Sequence, residues 1–552
     1  MNTYSNVGPR STQTPQTEPI PGSKQQPNNA GGFGFVVDDK MRLTRFLILG
    51  SQGGTYYVKE RELTKQNLEV VERLLQQHRG KEVVDTIIEV SEQGRAISND
   101  PALFALACCT NADDLDVRQY ALSALPRVAR TGTHLLHFVH FVKQFRGWGR
   151  AYKRAIAEWY QAKSVAQLAY QVVKYQQRDG YAQSDLLRLS HPKTRDEERN
   201  ALYRWIVDGV RPELPVRVEI INTQDTQQEE EHAYAPATHP LALVWAYEQA
   251  KRATSEQEVV QLITRYRLPR EAVPTEYLTS PRVWEALLED MPLEAMTRNL
   301  ATMTRIDLLK MAGKPTRTVV ARLTNREAVH KARLHPLKLL AALKTYESGR
   351  GERGSNTWTP IPKIVDALDT AFYLAFKNVE PSNKRLLLAL DVSGSMSIPV
   401  SGIPHVSARE AAAAMALVTA AVEPSHQMMA FSHKFVPFDI SPDQRLSDVV
   451  KTMLKTPFGR TDCALPMVWA KNQKVEIDAF LVYTDSETWF GDIHPVQALR
   501  QYREQMGIPA KLVVVGMVSN HISIADPDDG GMLDVVGFDT NTPQVITEFL
   551  RH

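Results

Sequence analysis

Apolar residues recur at helical spacing over most of the chain, from about Leu63 to Phe376. Segments such as LEVVERLLQQ, VVDTIIEV, LLHFVHFVKQF and VVQLITRY place them three or four residues apart, which is typical of amphipathic helices. The polar breaks between these segments span only a few residues, so consecutive helices should run antiparallel. This part of the sequence therefore predicts a stack of antiparallel helix pairs.

The helix pairs share no clear consensus sequence, so we interpret them as degenerate HEAT-like repeats. The acidic stretch Asp225–Glu231 interrupts them and is predicted to be a solvated loop. Residues 1–40 consist mainly of Pro, Gln, Ser, Thr, Asn and Gly. Because such a composition buries little apolar surface, we predict a disordered tail there.

The pattern changes after GRGERG at residues 349–354 and one more amphipathic helix at Ile364–Phe376. Short apolar runs follow at Arg385–Asp391, Met428–Phe431, Ala479–Asp485 and Leu512–Gly516, with helical patterns between them at Ala411–Val422 and Val496–Gln505. Strands that alternate with helices predict an α/β domain with a doubly wound parallel sheet. We therefore divide the chain into a disordered tail (1–40), an all-α helical-repeat domain (41–380) and an α/β domain (381–552).

Composition agrees with a multidomain protein, because 552 residues exceed the roughly 250–300 residues that one core serves. No apolar run approaches the roughly 20 residues of a membrane-spanning helix. The amino terminus lacks the basic and apolar stretch of a secretory signal, so we expect a cytoplasmic protein. The three cysteines, Cys108, Cys109 and Cys463, are too few for a disulfide framework and are not spaced as zinc ligands.

The net charge of +2 hides an uneven distribution of charged residues. From residue 384 to the end there are 14 Lys/Arg and 19 Asp/Glu, a net charge of −5, which leaves +7 for residues 1–383. Residues 131–195 alone carry 11 Lys/Arg against three acidic residues, a net charge of +8. A local basic field of this kind suits a polyanionic partner better than a small substrate.

Candidate metal ligands follow the predicted strands of the α/β domain. Asp391-Val-Ser393-Gly-Ser395 comes directly after the first strand, Thr461 lies in a loop before a helix, and Asp485 ends another strand. Loops at the carboxyl ends of parallel strands can converge at one sheet edge. Hydroxyls with one or two carboxylates suit Mg²⁺, which prefers octahedral oxygen ligands and keeps several waters. We therefore predict a divalent metal site, with Mg²⁺ as the expected ion.

These five residues resemble the metal-ion-dependent adhesion site of von Willebrand factor A domains, position by position. The resemblance implies that Ser393 and Ser395 bind the ion directly, Thr461 directly or through water, and the two aspartates through water. The open coordination position would accept an external carboxylate or phosphate. The competing interpretation is a strand-end turn in which Ser and Asp only cap helices.

Candidate RNA contacts lie in the basic region. Lys174 and Arg178 are four residues apart, which would place them on one face of a helix. The neighbouring Tyr175, Tyr181 and His191 are side chains that can stack on bases of single-stranded or looped RNA. A solvated basic face with no partner is the alternative interpretation.

The order of motifs resembles that of the Ro ribonucleoprotein autoantigen family, which is defined by the TROVE module. The resemblance runs from about Thr55 to the carboxyl terminus. Its landmarks are TYYVKEREL (55–63), WGR (148–150), DLLRLSH (185–191), HPLKLLAALKTY (335–346), TDCALP (461–466) and ADPDD (525–529). The resemblance implies a closed ring of HEAT-like repeats joined to a von Willebrand A domain, in a bacterial member of the family.

The resemblance also implies the function of a noncatalytic RNA-binding scaffold. Members bind small noncoding Y RNAs on the outer basic surface and take single-stranded ends of misfolded RNAs into the ring, in noncoding RNA quality control or maturation. The family's RNA contacts match Lys174, Arg178 and His191, and we extend them to Arg150, Lys153 and Arg154 in the same basic region. Expected partners are Y-like RNA, misfolded noncoding RNA or rRNA precursors, and an exoribonuclease such as polynucleotide phosphorylase. We expect a monomer without membrane contact.

Other functional classes have less support. His134, His137 and His140 are three residues apart, and their positions drift about 60° per step around a helix, so one metal ion would not collect all three. The sequence contains neither a GxxxxGK[ST] phosphate loop nor a GxSxG nucleophile elbow. Two alternatives stay open: a metal-dependent protein-adhesion scaffold with a protein-binding helical solenoid, and, more distantly, a metal-dependent nuclease.

Overall fold

The fold is that of a computed structural model. The structure describes residues 13–50, 60–222, 229–351, 355–376, 380–400, 403–438, 441, 444–455 and 459–551. None of the helices in these ranges is long and apolar enough to cross a membrane.

The predicted helical repeats are confirmed in the described part of residues 39–374. The helices are Asp39–Leu49, Glu60–Gln76, Gly80–Gln93, Asp100–Cys109, Leu115–Ser123, Leu125–Val128, Gly132–Val142, Arg150–Gln161, Val165–Lys174, Gln183–Ser190, Glu197–Asp208, Ala242–Ala250, Glu256–Tyr266, Pro281–Asp290, Leu293–Arg305, Lys314–Leu323, Arg326–Ala332, Pro336–Glu347 and Pro362–Leu374. The sequence starts many of them with a capping side chain; Ser164 accepts from the main-chain N–H of Gln167, whose side chain bonds back to Ser164.

The helical domain closes into a ring around a cavity of about 880 Å³. Its wall includes residues from the early helices, such as Asp100, and from the late helices, such as Lys338. The two ends meet where a Cβ at Gly94 would lie 3.4 Å from that of Arg333. Buried side chains such as Leu136 and Trp159 fill the space between helices, each Leu contributing about 1.5–3 kcal/mol.

The predicted doubly wound sheet is also confirmed. Its order is Phe435–Pro437, His426–Phe431, Leu386–Asp391, Ala479–Thr484, Lys511–Gly516 and Met532–Val536. All neighbours are parallel except the first pair, as is common for an edge strand. The helices Ala408–Val422, Leu446–Lys455, Leu465–Gln473, Pro495–Met506 and Thr542–Arg551 belong to this domain. The central strands read as continuous apolar runs because helices cover both faces.

Two predictions within the helical domain are wrong in detail. The helix Val165–Lys174 ends at Lys174, and Arg178 lies in a short hairpin of Gln177–Arg178 with Tyr181–Ala182, so the two cations do not share a helix face. The acidic stretch is not simply a loop, because residues 229–231 belong to a strand, Glu229–Tyr234, that pairs with Arg217–Asn222. Residues 225–228 lie outside the described residues. Glutamate has a low intrinsic preference for strands, so the sequence did not indicate a strand at residues 229–231. The strand forms because it pairs with Arg217–Asn222 in a hairpin.

The prediction of a disordered tail is wrong for residues 13–40, whereas residues 1–12 lie outside the described part of the chain. Strands Gln26–Pro27 and Phe33–Val36 pair with each other, and the second pairs with Ile522–Ser523 of the C-terminal domain. The first helix begins at Asp39. A composition that cannot form its own core can still be ordered on a surface that is already folded.

The helical and C-terminal domains share a polar, buried interface. Arg45, 1% exposed, forms a salt bridge of 2.6 Å with Asp534 and donates to the main-chain oxygen of Ile522. His335 Nε2 lies 2.6 Å from the main-chain oxygen of Phe538. These contacts hold the ring against the edge strand of the sheet, Met532–Val536.

Candidate functional site

The first predicted metal-binding loop begins where the central strand Leu386–Asp391 ends. Asp391 Oδ1 accepts a hydrogen bond of 2.8 Å from the main-chain N–H of Ser393, which bends the loop back over the strand end. The hydroxyl oxygens of Ser393 and Ser395 lie 2.9 Å apart. All three side chains are buried. The structure thus brings Asp391, Ser393 and Ser395 together, as the sequence predicts.

The other two loops lie against the first. Thr484, at the end of the adjacent strand, donates to Asp391 Oδ2 at 2.6 Å, which places Asp485 next to Asp391. The main-chain oxygen of Thr461 accepts from the N–H groups of Trp489 and Phe490 at 3.2 and 3.1 Å. Thr461 and Asp485 are each 1% exposed. Main-chain bonds therefore tie the Thr461 and Asp485 loops to each other at the sheet edge.

The two predicted carboxylates are poorly compensated without a cation. Burial raises the pKa of Asp485 well above its usual range, and the charges of Asp391 and Glu487 raise it further. Burial also raises the pKa of Asp391, although hydrogen bonds from Ser393 and Thr484 oppose this. Asp485 Oδ2 is buried without a hydrogen-bond partner in the described structure. A buried carboxylate oxygen with no hydrogen-bond donor, beside a second carboxylate, is unfavourable in the ionised form, and either a proton or a bound metal cation would relieve this cost.

These features fit a hard divalent cation. Two adjacent hydroxyls and an unsatisfied carboxylate oxygen are oxygen donors of the kind that Mg²⁺ takes. Ser393, Ser395 and Thr461 would hold the ion with Asp391 and Asp485, and a bound ion would supply positive charge for an external anionic group. The described residues contain no cluster of three or more His, Cys, Asp or Glu side chains suited to a metal, so a carboxylate-rich two-metal site is not formed there.

Supporting residues surround this centre, and the sequence pattern did not identify them. Arg409, on the helix Ala408–Val422, donates to the main-chain oxygen of Ser393 at 2.8 Å. Glu487 is fully buried and accepts from the side-chain amide of Asn29, which precedes the first helix in sequence. No sequence spacing links residues 458 positions apart, so only the fold could reveal this contact.

The predicted RNA-binding residues fall into two groups. Lys174 and Arg178 line the cavity of the ring. The Nζ atom of Lys174 lies 3.2 Å from the hydroxyl of Tyr170 and over the ring of Tyr175, which fixes the direction of its charge. Arg178 is exposed. These two cations are therefore brought together on the inner wall and not on the outer face.

In the part of the chain that the structure describes, the other four predicted residues do not line the cavity. They are Arg150, Lys153, Arg154 and His191. Arg150 begins the helix Arg150–Gln161, which also carries Lys153 and Arg154. His191 ends the helix Gln183–Ser190 in a left-handed conformation and is exposed. The helices that carry them pack against each other. They can therefore form one surface, separate from the cavity wall.

The cavity wall is basic, and most of its charge comes from residues outside the predicted set. Six cations line it against three acidic side chains. The four that sequence analysis missed are Arg130, Arg298, Arg333 and Lys338. They are far apart along the chain, so no local charge run could indicate them. The positive potential of such a wall is concentrated inside the ring and attracts a polyanion.

The structure also places His134, His137 and His140 in different surroundings, although they are only three residues apart in sequence. His134 and His137 line the cavity, whereas His140 is exposed and does not belong to the described wall. Burial lowers the pKa of His134 to about 3. The Nδ1 atom of His137 lies 2.9 Å from a carboxylate oxygen of Asp179 in the hairpin turn. This arrangement fits histidines that face the ring interior.

The chain matches two family models and is similar to several known proteins. The TROVE domain model matches residues 26–345, and the Ro60 vWA domain model matches residues 385–550. The RNA-binding protein RO60 of Deinococcus radiodurans is 42% identical over 540 residues, which cover 97% of each chain. The RNA-binding protein RO60 of Caenorhabditis elegans is 37% identical over 581 residues, covering 95% of this chain and 90% of that protein. The crystal structure of the Deinococcus radiodurans RO (RSR) protein has a TM-score of 0.67 and 40% identity, covering 93% of this chain and 99% of that chain.

Proposed function

Since this chain belongs to the Ro60 family, with its TROVE and vWA domains, we propose that it is a noncatalytic scaffold that binds RNA. The observation that carries the proposal is the ring cavity of about 880 Å³ with six cations on its wall. Phosphate contacts of this kind supply sequence-independent affinity, whereas unpaired bases supply selection by stacking and hydrogen bonding. The RNA-binding relatives in two distant organisms support the same assignment.

The cavity is assigned to single-stranded RNA ends. Lys174 and Arg178 provide phosphate contacts, and Tyr175 and Tyr247 also line the wall, where they can stack on bases. A duplex presents its bases inward and would forgo these contacts. Misfolded noncoding RNAs and rRNA precursors with unpaired ends are therefore the substrates that the cavity would select.

The exposed cations outside the cavity are assigned to a structured, Y-like small RNA. Arg150, Arg154 and His191 are exposed and lie on neighbouring helices. A folded RNA presents phosphates over a broad surface, which separated cations can contact. A small RNA bound there can in turn bring an exoribonuclease, such as polynucleotide phosphorylase, to an RNA end held in the ring.

The metal centre is assigned to a protein contact and not to RNA chemistry. It lies in a domain whose net charge is −5 from residue 384 onward, and such a field disfavours approach of a polyanion. A bound Mg²⁺ with an open position would accept a carboxylate of a partner protein. RNA binding and metal binding are thus assigned to separate domains.

A triple variant, Lys174→Ala with Arg178→Ala and His191→Ala, tests the RNA assignment. We expect gel-shift binding of a single-stranded RNA to weaken because Lys174 and Arg178 line the cavity, and binding of a Y-like RNA to weaken through His191, while circular dichroism and thermal unfolding stay as in the wild type. The triple change removes two cations and a stacking side chain from surfaces that contribute little to the core. Unchanged RNA affinity in the folded triple variant would refute the assignment.

The second candidate function is a metal-dependent protein-adhesion scaffold with a protein-binding ring. Its support is the convergence of Asp391, Ser393 and Ser395 at the sheet edge. Purification from cells with and without ribonuclease, followed by sequencing of bound RNA, separates the two functions. Bound RNA favours the scaffold for RNA, whereas protein partners retained after ribonuclease, without any bound RNA, favour adhesion.

A further inference from the structure

Residues 13–37, here called the N-terminal segment, precede the ring in sequence but lie on the C-terminal domain. Its strand Phe33–Val36 pairs with Ile522–Ser523. Three of its polar side chains, Thr14, Gln16 and Asn28, are buried. Burying polar groups is unfavourable unless they are hydrogen-bonded, so the contacts of this segment must be specific.

Glu487 is the anchor of the N-terminal segment. Its carboxylate accepts 2.8 Å hydrogen bonds from the main-chain N–H and the side-chain amide of Asn29, and a 3.2 Å bond from the N–H of Ala30. Asn520 supplies one more donor at 3.1 Å. Glu487 is 0% exposed and follows the candidate ligand Asp485 by two residues. The Glu487 carboxylate thus accepts from four donors, three of them in the N-terminal segment. We therefore assign it to holding the segment and not to binding a metal ion.

Gln16 connects both ligand loops. Its side-chain amide donates to Asp462 Oδ1 at 2.7 Å and to the main-chain oxygen of Ile493 at 2.9 Å. Its carbonyl accepts from the hydroxyl of Thr488. Asp462 follows the candidate ligand Thr461, and Thr488 lies three residues after Asp485. One side chain of the segment therefore fixes the distance between two loops that must converge on the ion.

The segment approaches the Asp485 loop more closely than most side chains would allow. A Cβ at Gly32 would lie 1.9 Å from the main-chain oxygen of Thr488. Asn28 donates to the same oxygen at 2.6 Å, and Asn28 Oδ1 accepts from the N–H of Gly32 at 2.8 Å. A glycine is required here because the two backbones are in contact. The fit is thus specific on both sides.

We propose that the N-terminal segment positions the Thr461 and Asp485 loops for metal binding, so that docking of the segment and binding of the ion favour each other. This inference rests on the metal centre of the proposed function. Partners that orient ligands from outside the coordination shell commonly change metal affinity about 10–100-fold. Coupling between two binding events is reciprocal, so the ion should also hold the segment in place.

Two variants of the full-length protein test the proposal. Asn29→Ala removes the side-chain amide that donates to Glu487 and changes no residue of the C-terminal domain. Glu487→Gln replaces the carboxylate that accepts from the segment with an amide of the same shape. Mn²⁺ affinity is measured by electron paramagnetic resonance of the free ion, together with the rise in Tm on adding Mn²⁺. We expect both variants to bind Mn²⁺ at least about tenfold more weakly and to lose most of the metal-induced rise in Tm. Wild-type protein should also resist cleavage of the N-terminal segment by protease better with Mn²⁺ than without it.

Lys24→Ala is the matched control, because Lys24 is in the same segment but pairs with Asp528 in an exposed contact; it should leave Mn²⁺ affinity unchanged. Equal Mn²⁺ affinity in the wild type and both variants would overturn the proposal. Weaker binding in Glu487→Gln alone would also overturn it, since Glu487 would then act without the segment. Wild-type protein that binds no Mn²⁺ would remove the metal centre itself and this inference with it. If Glu487→Gln fails to fold, Asn29→Ala carries the test.

Discussion

Replacing Lys174 and Arg178 with alanine should weaken the binding of single-stranded RNA in a way that the salt dependence can quantify. Both residues line the cavity, and each can neutralise one phosphate. For single strands each contact changes the slope of log K against log salt by about 0.7, so two contacts should reduce it by about 1.4. At about 0.15 M salt that counterion term is about 0.6 log units per contact, which gives about 15-fold weaker binding for the pair.

The assay is fluorescence anisotropy of a labelled oligouridine over a series of salt concentrations. Arg211→Ala with Arg282→Ala is the matched control. These two arginines belong to the same domain, are 51% and 82% exposed and pair with Glu248 and Glu256, and neither belongs to the described cavity wall. The control should keep both affinity and slope. A cavity variant with wild-type slope would refute the assignment of Lys174 and Arg178 to phosphate contacts.

Three further predictions concern the metal centre and the domain interface. Asp391→Ala should abolish Mn²⁺ binding but leave RNA affinity within about twofold, which is less than the roughly fourfold effect of one lost phosphate contact; loss of RNA binding in the folded variant, in gel shift, would contradict the separation of the two domains. Part of the free energy of unfolding should be lost in acid through His335, because burial lowers its pKa from 6.5 to about 3. The buried neutral ring contributes this stability in full above pH 6.5, and the contribution is lost as the pH falls towards 3. Thermal unfolding of His335→Gln should show a weaker decline over that range, and an unchanged decline would contradict it. Arg45→Ala leaves the partly buried carboxylate of Asp534 without its cationic partner and should destabilise the protein by about 3–5 kcal/mol in urea unfolding; a loss below about 1 kcal/mol would contradict a structural role for this pair.

The His335 prediction follows from the way the neutral ring is used. Its Nδ1 accepts from the main-chain N–H of Leu337 at 3.2 Å, and its Nε2 then donates to the oxygen of Phe538 at 2.6 Å. A protonated ring has no acceptor nitrogen, so acid would remove the bond to Leu337 and charge a buried group. Acid would therefore break a bond within the helical domain and place a charge on a buried residue that also bonds to Phe538 of the C-terminal domain.

The sequence was sufficient for those features that depend on local periodicity. The run Arg385–Asp391 is apolar throughout because its strand is covered on both faces, and this indicated both the strand and the position of Asp391 at its end. The loop residues Ser393 and Ser395 are two positions apart in sequence, so their proximity in space follows directly. The helix boundaries are less predictable; Lys174 ends a helix that the charge spacing extended to Arg178.

Features that depend on contacts between distant residues could not be predicted. Residues 13–40 have the composition of a disordered tail, yet the described part is ordered by hydrogen bonds to Asp462 and Glu487 in another domain. Arg298 and Arg333 reach the cavity only because the ring closes. Local sequence determines propensity, whereas these positions are determined by tertiary packing.

Sequencing of RNA that copurifies with the full-length protein tests the central proposal most directly. The protein would be isolated from its own cells beside the variant with Lys174→Ala, Arg178→Ala and His191→Ala, and beside Asp391→Ala. We predict that the wild type and Asp391→Ala carry small structured RNAs and RNAs with single-stranded ends, and that the triple variant carries much less of both. Wild-type protein without bound RNA, or a triple variant with the same RNA as the wild type, would contradict the account.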